Sequence, residues 1–302
     1  METPAVVAVV VHYGRAPPAH AAIDALVRSR QVSLDWVFVD NNPVSDLALR
    51  GRVEEGSGRY LHRPDNPGFA GGANAGMRLA AGLQDARMVV LLNSDVELFD
   101  DCLCRLESAL ADSPQLGVVG PGLLCHGRSA RWWNRGSMVY WPRAQPISLC
   151  HGEPTGGDGD DGPVDVDYVC GAAMALRPEL LRRVGELRED YFLYFEDADY
   201  CERVRRAGLN VVVLSTALAF HRGGEAFRGC EADATYYQVR NRLLYSRRWC
   251  PVPAAGRRHR ILFFCRNVWR ATTLLARGGW QEGRARFLAL VHYKLGRVGK
   301  AH

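Results

Sequence analysis

The run FLYFEDADYCERVRRAG, Phe192 to Gly208, sets three acids, Glu196, Asp197 and Asp199, at the start of a helical pattern behind a block of aromatic residues. A later apolar run ends in His221, and an earlier one, MVVLL, ends in Asn93, Ser94 and Asp95. Acids at a helix start complement its dipole by about 0.3–1 kcal/mol each, which accounts for one or two of the three. It does not account for the aromatic block, which would wall the acids off from water. Asn93 and Asp95, separated by one residue on an extended chain, present their oxygens on the same side of the pleat. That geometry holds a hard cation bridging a diphosphate, although an Asn/Asp turn closing a strand is the plainer alternative. Neutral imidazole suits Mn2+ beside a carboxylate, so His221 is a candidate further ligand. These residue types together point to metal-assisted group transfer.

Short apolar strands alternating with helices must position them. Val6–Tyr13, Asp35–Asp40, Arg59–His62, Ala86–Asn93 and Leu116–Gly120 read as strands, with helical composition at Ala21–Arg30, Ala73–Gly82 and Asp100–Ala111 between them. Such alternation predicts a mostly parallel sheet covered by helices on both faces, with ligands outside the carboxyl ends of the strands. Asp40, the loop Asn66–Gly72 and Asn93–Asp95 all fall at that edge. The glycine-rich loop matches neither dinucleotide nor P-loop spacing. From Cys125 to Asp167 the periodicity lapses, through Trp132, Trp133, Trp141 and the flexible run Gly156–Gly162, and the indoles there either wall an acceptor or pack in the core. Arg177–Val184 reads as a helix, Val211–Phe220 as a strand, and Ile261–Ala276 and Arg284–Leu295 as two amphipathic helices.

With 302 residues, 47% hydrophobic and 24% charged, the composition is that of a globular protein. Its apolar runs are far shorter than the roughly 20 residues that span a bilayer. METPAVV has no basic n-region, so no secretory signal is expected and a cytoplasmic location follows, peripheral at the inner face of the membrane if the tail binds lipid. Nine scattered cysteines without a second pair at zinc spacing suit reduced, buried thiols. The net charge of +5 hides an asymmetry. Of 38 Lys and Arg and 33 acids, fifteen bases and one acid (Glu282) lie from Arg240 onward, leaving 23 and 32 before it, so the front carries −9 and the tail +14. Such a tail either meets an anionic partner, a phospholipid surface or a polyanion, or neutralises the acidic body.

Eight strings in order, VVVHYGR, VDNNPVSD, NPGFAGGANAG, LLNSDVEL, CGAAMALRPELLRRVG, YFLYFEDADYCERVRRAG, AFHRGG and YYQVRNRLL, resemble the family 2 glycosyltransferases of GT-A fold, the rhamnosyltransferase-like branch above all. The resemblance runs from about Val6 to Leu244. It implies a GT-A domain over residues 1–250, a Rossmann-like mostly parallel sheet flanked by helices, with a basic helical C-terminal extension over residues 251–302. It implies inverting transfer of a sugar, L-rhamnose or another deoxysugar, from a dTDP- or UDP-linked donor to a hydroxyl of a glycan, lipid-linked or small-molecule acceptor, assisted by Mg2+ or Mn2+. Asp197 would be the catalytic base with Glu196 beside it, and Asp95 and His221 the metal ligands. Tyr13, Asp40, Asn66, Gly68, Asn74, Asn93, Ser94, Arg240 and Asn241 would meet the donor, with Asp40 at the nucleoside and Arg240 and Asn241 closing over it. Asn93 stands where many members have a first Asp, and VVVHYGR departs from the usual Thr-Tyr-Asn. No nucleic-acid partner is expected. Two rival readings are a sugar-nucleotide pyrophosphorylase, whose glycine-rich loop should follow the first strand where HYGRAPP stands, and a non-catalytic transferase-like protein at a membrane surface.

Overall fold

Val6 to His12 (β1) are all buried, because the strand lies in mid-sheet with helices over both faces. The computed structural model describes residues 5–29, 32–80, 83, 85–127, 131–155, 162–223 and 231–301. After β1 come α1 (Ala16–Val27), β2 (Leu34–Asp40), α2 (Leu47–Glu55), β3 (Arg59–His62), α3 (Gly68–Leu79) and β4 (Met88–Asn93). β5 (Val96–Leu98), α4 (Cys102–Asp112) and β6 (Leu116–Cys125) follow, then the short strands β7 (Trp132–Asn134), β8 (Ser137–Tyr140), β9 (Gln145–Ser148) and β10 (Pro163–Asp165). β11 (Ala173–Leu176), α5 (Leu180–Arg183), α6 (Glu196–Arg206) and β12 (Asn210–His221) complete the sheet region, and α7 (Glu231–Trp249), α8 (Pro253–Ala276) and α9 (Trp280–Lys294) close the chain.

The main sheet runs β10-β12-β6-β11-β4-β1-β2-β3, with β5 joined to the end of β12 and β7 to β6. β4, β1, β2 and β3 are mutually parallel, and β11 enters antiparallel between β4 and β6. Alternation along the strands feeds two separate cores. Val6, Ala8, Val10, Phe38 and Val90 pack with α1, α2 and α4 on one face. Val7, Val9, Val39, Val89 and Leu91 pack with α3 and α6 on the other. Each fully buried Val or Leu contributes about 1.5–3 kcal/mol, so a one-residue slip of β1 would move every such side chain to the wrong core. α3 lies very close to the sheet: a Cβ on Gly76 would meet Val9 Cγ1 at 2.3 Å.

The expected fold class holds, a mostly parallel sheet between helices. Some boundaries move. The expected helix Arg177–Val184 is reduced to the single turn α5, and β12 runs to His221 through a bulge between Leu214 and Leu218. The expected helix Ala73–Gly82 begins at Gly68, with residues 81 and 82 outside the described set, as are 156–161 of the flexible run and Gly224 of AFHRGG. The basic tail packs on the body. α9 lies against α7 and α8, Tyr236 bonds His292 Nδ1 at 2.6 Å, and Ala285, Ala289 and Leu290 share a core with Tyr237 and Leu243. No helix among the described residues is long and apolar enough to cross a membrane.

Candidate active site

Parallel register brings the ends of β1, β2 and β4 level, pairing Val11 with Asn93 and His12 with Asp40. The chain turns after Asn93 into β5, whose first residue, Val96, pairs with His221 at the end of β12. Asp95 is therefore delivered beside His221: Oδ1 lies 3.1 Å from Nε2, and the Asp95 carbonyl accepts the Arg222 N–H at 3.1 Å. Both side chains are 5% exposed. The Trp133 ring stands edge-on to the imidazole at 4.1 Å, and His221 Nδ1 is buried without a hydrogen-bond partner. Ser94 Oγ is 2.7 Å from His12 Nδ1, and burial lowers the pKa of that imidazole.

The second half of the site comes from α6. Its first turn carries all three acids, but they do different work. Asp199 is fully buried and accepts from Tyr191 OH, Trp249 Nε1 and Arg203 Nε, so it ties the helix to α7. Asp197 keeps part of its surface on the cavity, where its oxygens accept the Gly171 N–H at 2.9 Å and the Ala198 N–H at 2.7 Å. Burial raises its pKa; those donors favour the carboxylate but offset only part of the shift. Glu196 is raised further, by burial and by the adjoining Asp197 charge, and its Oε2 has no partner. In this pair Glu196 holds the proton and Asp197 is the readier to ionise.

The loop that presents α6 is strained. Phe192, Tyr194 and Phe195 all have left-handed backbone, at φ 66°, 65° and 75°, a conformation costing of order 1–3 kcal/mol for a bulky side chain. What holds it is α7. Asn241 Nδ2 donates to the carbonyls of Tyr191, Leu193 and Tyr194 at 2.7–2.9 Å, and Arg240 to those of Asp190 and Tyr191. On the other side Phe69 N–H donates to Phe192 O at 2.9 Å, a close approach that leaves no room for a Cβ on Gly68 (φ 77°).

One cavity of about 950 Å3 gathers these parts. Tyr13, Asn66, Gly68, Asn93, Ser94, Asp95, Glu196, Asp197 and His221 all line it. Four expected donor contacts are not on its wall. Asp40 is fully buried, accepting from Tyr60 OH and the Asn42 N–H. Asn74 is spent on the backbone of Leu187 and on Glu189, binding α3 to the loop before α6. Arg240 and Asn241, at 1% and 0% exposure, face the strained loop rather than closing over a ligand, because its carbonyls take their donors. Of the tryptophans in the irregular segment, Trp133 reaches the cavity, whereas Trp141 stacks on Tyr245.

Other wall residues carried no signal in the sequence. Asn41 could have been found, since it directly follows the end of β2. Arg242, Arg266, Arg270, Arg286 and Lys300 come from α7, α8, α9 and the segment after it, where periodicity reveals a buried face but not what that face meets.

The donor set at the sheet edge is one carboxylate oxygen and one imidazole nitrogen, a mixed pair compatible with a divalent cation that accepts both. Asp95 Oδ1 and His221 Nε2 are 3.1 Å apart, close enough that both could turn to one bound cation. Among the described residues no cluster of three or more His, Cys, Asp or Glu could hold a metal. A cation held by Asp95 and His221 alone would complete its shell with ligands from outside the protein, such as phosphate oxygens and water.

The family model described as Glycosyl transferase family 2 matches residues 7–181. The chain is 26% identical over 213 residues, 70% of its own length and 67% of the relative's, to the low-salt glycan biosynthesis hexosyltransferase Agl10 of Haloferax volcanii. Among solved structures it is similar to the mannosyltransferase PcManGT from Pyrobaculum calidifontis in complex with GDP-Man and Mn2+, at TM-score 0.57 and 15% identity over 98% of this chain and 89% of that one. It also resembles S. aureus TarS 1–349 (TM-score 0.54, 12% identity, 96% and 91% covered) and GalNAc-T7 with UDP, GalNAc and Mn2+ (0.58, 10%, 86% and 55%). At these identities the solved structures establish the shared GT-A fold.

Proposed function

The chain belongs to Glycosyl transferase family 2 and is a glycosyltransferase using a nucleotide sugar, and on that premise we propose a metal-assisted, inverting transfer to an acceptor hydroxyl in the cavity between the sheet edge and α6. The observation that carries this is that Asp95, the adjacent pair Glu196 and Asp197, and His221, three separate stretches of the sequence, line one cavity. Family membership favours the transferase over the pyrophosphorylase and scaffold readings.

Asp95 and His221 would hold a divalent cation, Mg2+ or Mn2+, which when bound neutralises charge on the departing diphosphate. Tyr13, Asn66, Gly68, Asn93 and Ser94 would contact the donor. Asp40, Asn74, Arg240 and Asn241 support that reading from behind, by fixing the strand end and the loop. Asp197 takes the proton from the acceptor hydroxyl as its oxygen attacks the anomeric carbon and the nucleotide diphosphate leaves from the opposite face, inverting the centre. Neutral Glu196 beside it can donate a hydrogen bond that orients the acceptor. Phe192, Leu193, Tyr194 and Phe195, all on the wall, keep water from competing for the donor.

The motif resemblance supports L-rhamnose or another deoxysugar as the transferred group, while the solved relatives carry GDP-Man or UDP. Residues 1–250 would form the transferase unit and residues 251–302 its extension. The outer face of α8 exposes Ile261, Leu262 and Trp269 beside Arg257 and Arg258, which supports a peripheral contact with anionic membrane. The deciding experiment is a thermal-shift screen against nucleotide diphosphates and nucleotide sugars with Mg2+ or Mn2+, followed by product analysis with the stabilising donor. A panel in which nothing stabilises the protein would sink the proposal.

A further inference from the structure

The cavity has two chemically opposite walls. Along the sheet edge and the start of α6 stand Asp95, Glu196 and Asp197; on the side of the C-terminal helices stand Arg242, Arg266, Arg270, Arg286 and Lys300. Arg286 is paired with Glu282 at 2.7 Å, and Lys300 Nζ donates to the Asp65 carbonyl at 2.6 Å. The other three have no acid partner among the described residues. Arg242 donates to the Arg143 carbonyl and lies over the Phe263 ring, 4.6 Å from its centroid. Arg266 and Arg270, one turn apart on α8, are exposed and line the same cavity. Asp233, the acid α7 adds to the wall, is nine positions from Arg242, roughly 13 Å along the helix. Burial first, and then the nearby charges of Arg266 and Arg143, push the Arg242 guanidinium down to about 10.

We propose that Arg242, Arg266 and Arg270 form an anion subsite for a phosphate or diphosphate carried by the acceptor, so that the acceptor is a phosphorylated sugar rather than a neutral glycan. The inference rests on the glycosyl-transfer reading and extends it to the substrate class. The donor's own diphosphate has a separate station at Asp95 and His221, and a cavity of about 950 Å3 is at the top of the usual 300–1,000 Å3 range for one small ligand, as two substrates require. Guanidinium groups arrayed on a rigid helix bind phosphate in a fork geometry that lysine cannot supply.

The test is calorimetric titration of the intact protein, with cations chelated, against two probes, inorganic pyrophosphate and geranyl diphosphate. Nucleotide diphosphates with Mn2+ are titrated in parallel. Both probes should bind, and Arg266→Gln/Arg270→Gln should weaken them roughly tenfold or more while nucleotide affinity and melting temperature hold. Tighter binding of the geranyl form assigns a lipid-linked acceptor; equal binding assigns a soluble one. Absence of probe binding, or binding unchanged in the variant, overturns the subsite. Loss of nucleotide affinity in the variant overturns it too, by giving the arginines to the donor. Probe binding that responds to the variant without any nucleotide binding would instead count against the glycosyl-transfer reading.

Discussion

The Asn241 side-chain amide donates to the Tyr194 carbonyl at 2.9 Å, and through it α7 fixes the backbone that delivers Asp197 three residues later. The same amide reaches Tyr191 and Leu193; Arg240 shares the Tyr191 carbonyl, so those of Leu193 and Tyr194 depend on this one side chain. Asn241→Ala frees them in the interior, where each unsatisfied group costs about 1–3 kcal/mol. We expect a lower melting temperature and a fall in kcat of roughly tenfold or more, with donor affinity little changed. Thermal melts and steady-state kinetics check this. A large loss of donor affinity at unchanged kcat would return Asn241 to the donor.

Asp197→Asn should cost roughly 100- to 10,000-fold in kcat while nucleotide diphosphates still bind. Because burial raises the carboxyl, and the ionised form is the working one, activity should rise with pH through a midpoint above the ordinary Asp range. A kcat–pH profile for the wild-type enzyme, read beside the variant's binding curve, separates chemistry from binding.

Glu196 predicts a stability effect of definite sign. Its folded pKa lies above its unfolded value of about 4.3, so its contribution is intact below that pH and is lost as pH rises through the folded value. Glu196→Gln removes the burden of ionising a buried acid. Melting temperature should therefore rise relative to wild type at pH 8 and change little at pH 4. A loss of stability at both pH values would contradict the buried-acid assignment.

Asp95→Ala and His221→Ala should each weaken donor binding in the presence of Mn2+ and bring it toward the value seen in chelator. The readout is the ratio of nucleotide affinity with and without the cation. A ratio unchanged in both variants would clear the pair of metal binding.

Membrane contact is testable without disturbing the fold. Removing the tail would strip α9 from the core it shares with α7, so point changes on the outer face of α8 are the cleaner probe. Ile261→Asp/Trp269→Asp should reduce binding to anionic vesicles, and added salt should reduce what remains. Equal sedimentation of wild type and variant with vesicles would refute the contact.

The sheet was legible because buried parallel strands announce themselves as unbroken apolar runs: Val6–His12 and Met88–Asn93 differ from the sequence reading only by a residue or two at their ends. Asp95 was legible for the same reason, as a strand-end acid. The separate duties of Asp197 and Asp199, two residues apart on α6, were not, because they depend on whether Gly171 or Trp249 faces each carboxylate. Arg240 and Asn241 were expected at the donor only because the string YYQVRNRLL resembles the family's. The loop they secure lies nearly fifty residues away, and no local pattern discloses a partner at that separation.

Gly299 O accepts from Arg240, Ala301 N–H donates to Tyr237 OH, and Lys300 and Ala301 form part of the cavity wall. Any polypeptide joined after Ala301 thus begins at the substrate chamber. An affinity tag fused there would compete with acceptor or pry the Arg240 contact open. The opposite end of β1 is a strand length of about 20 Å from the cavity end of the sheet.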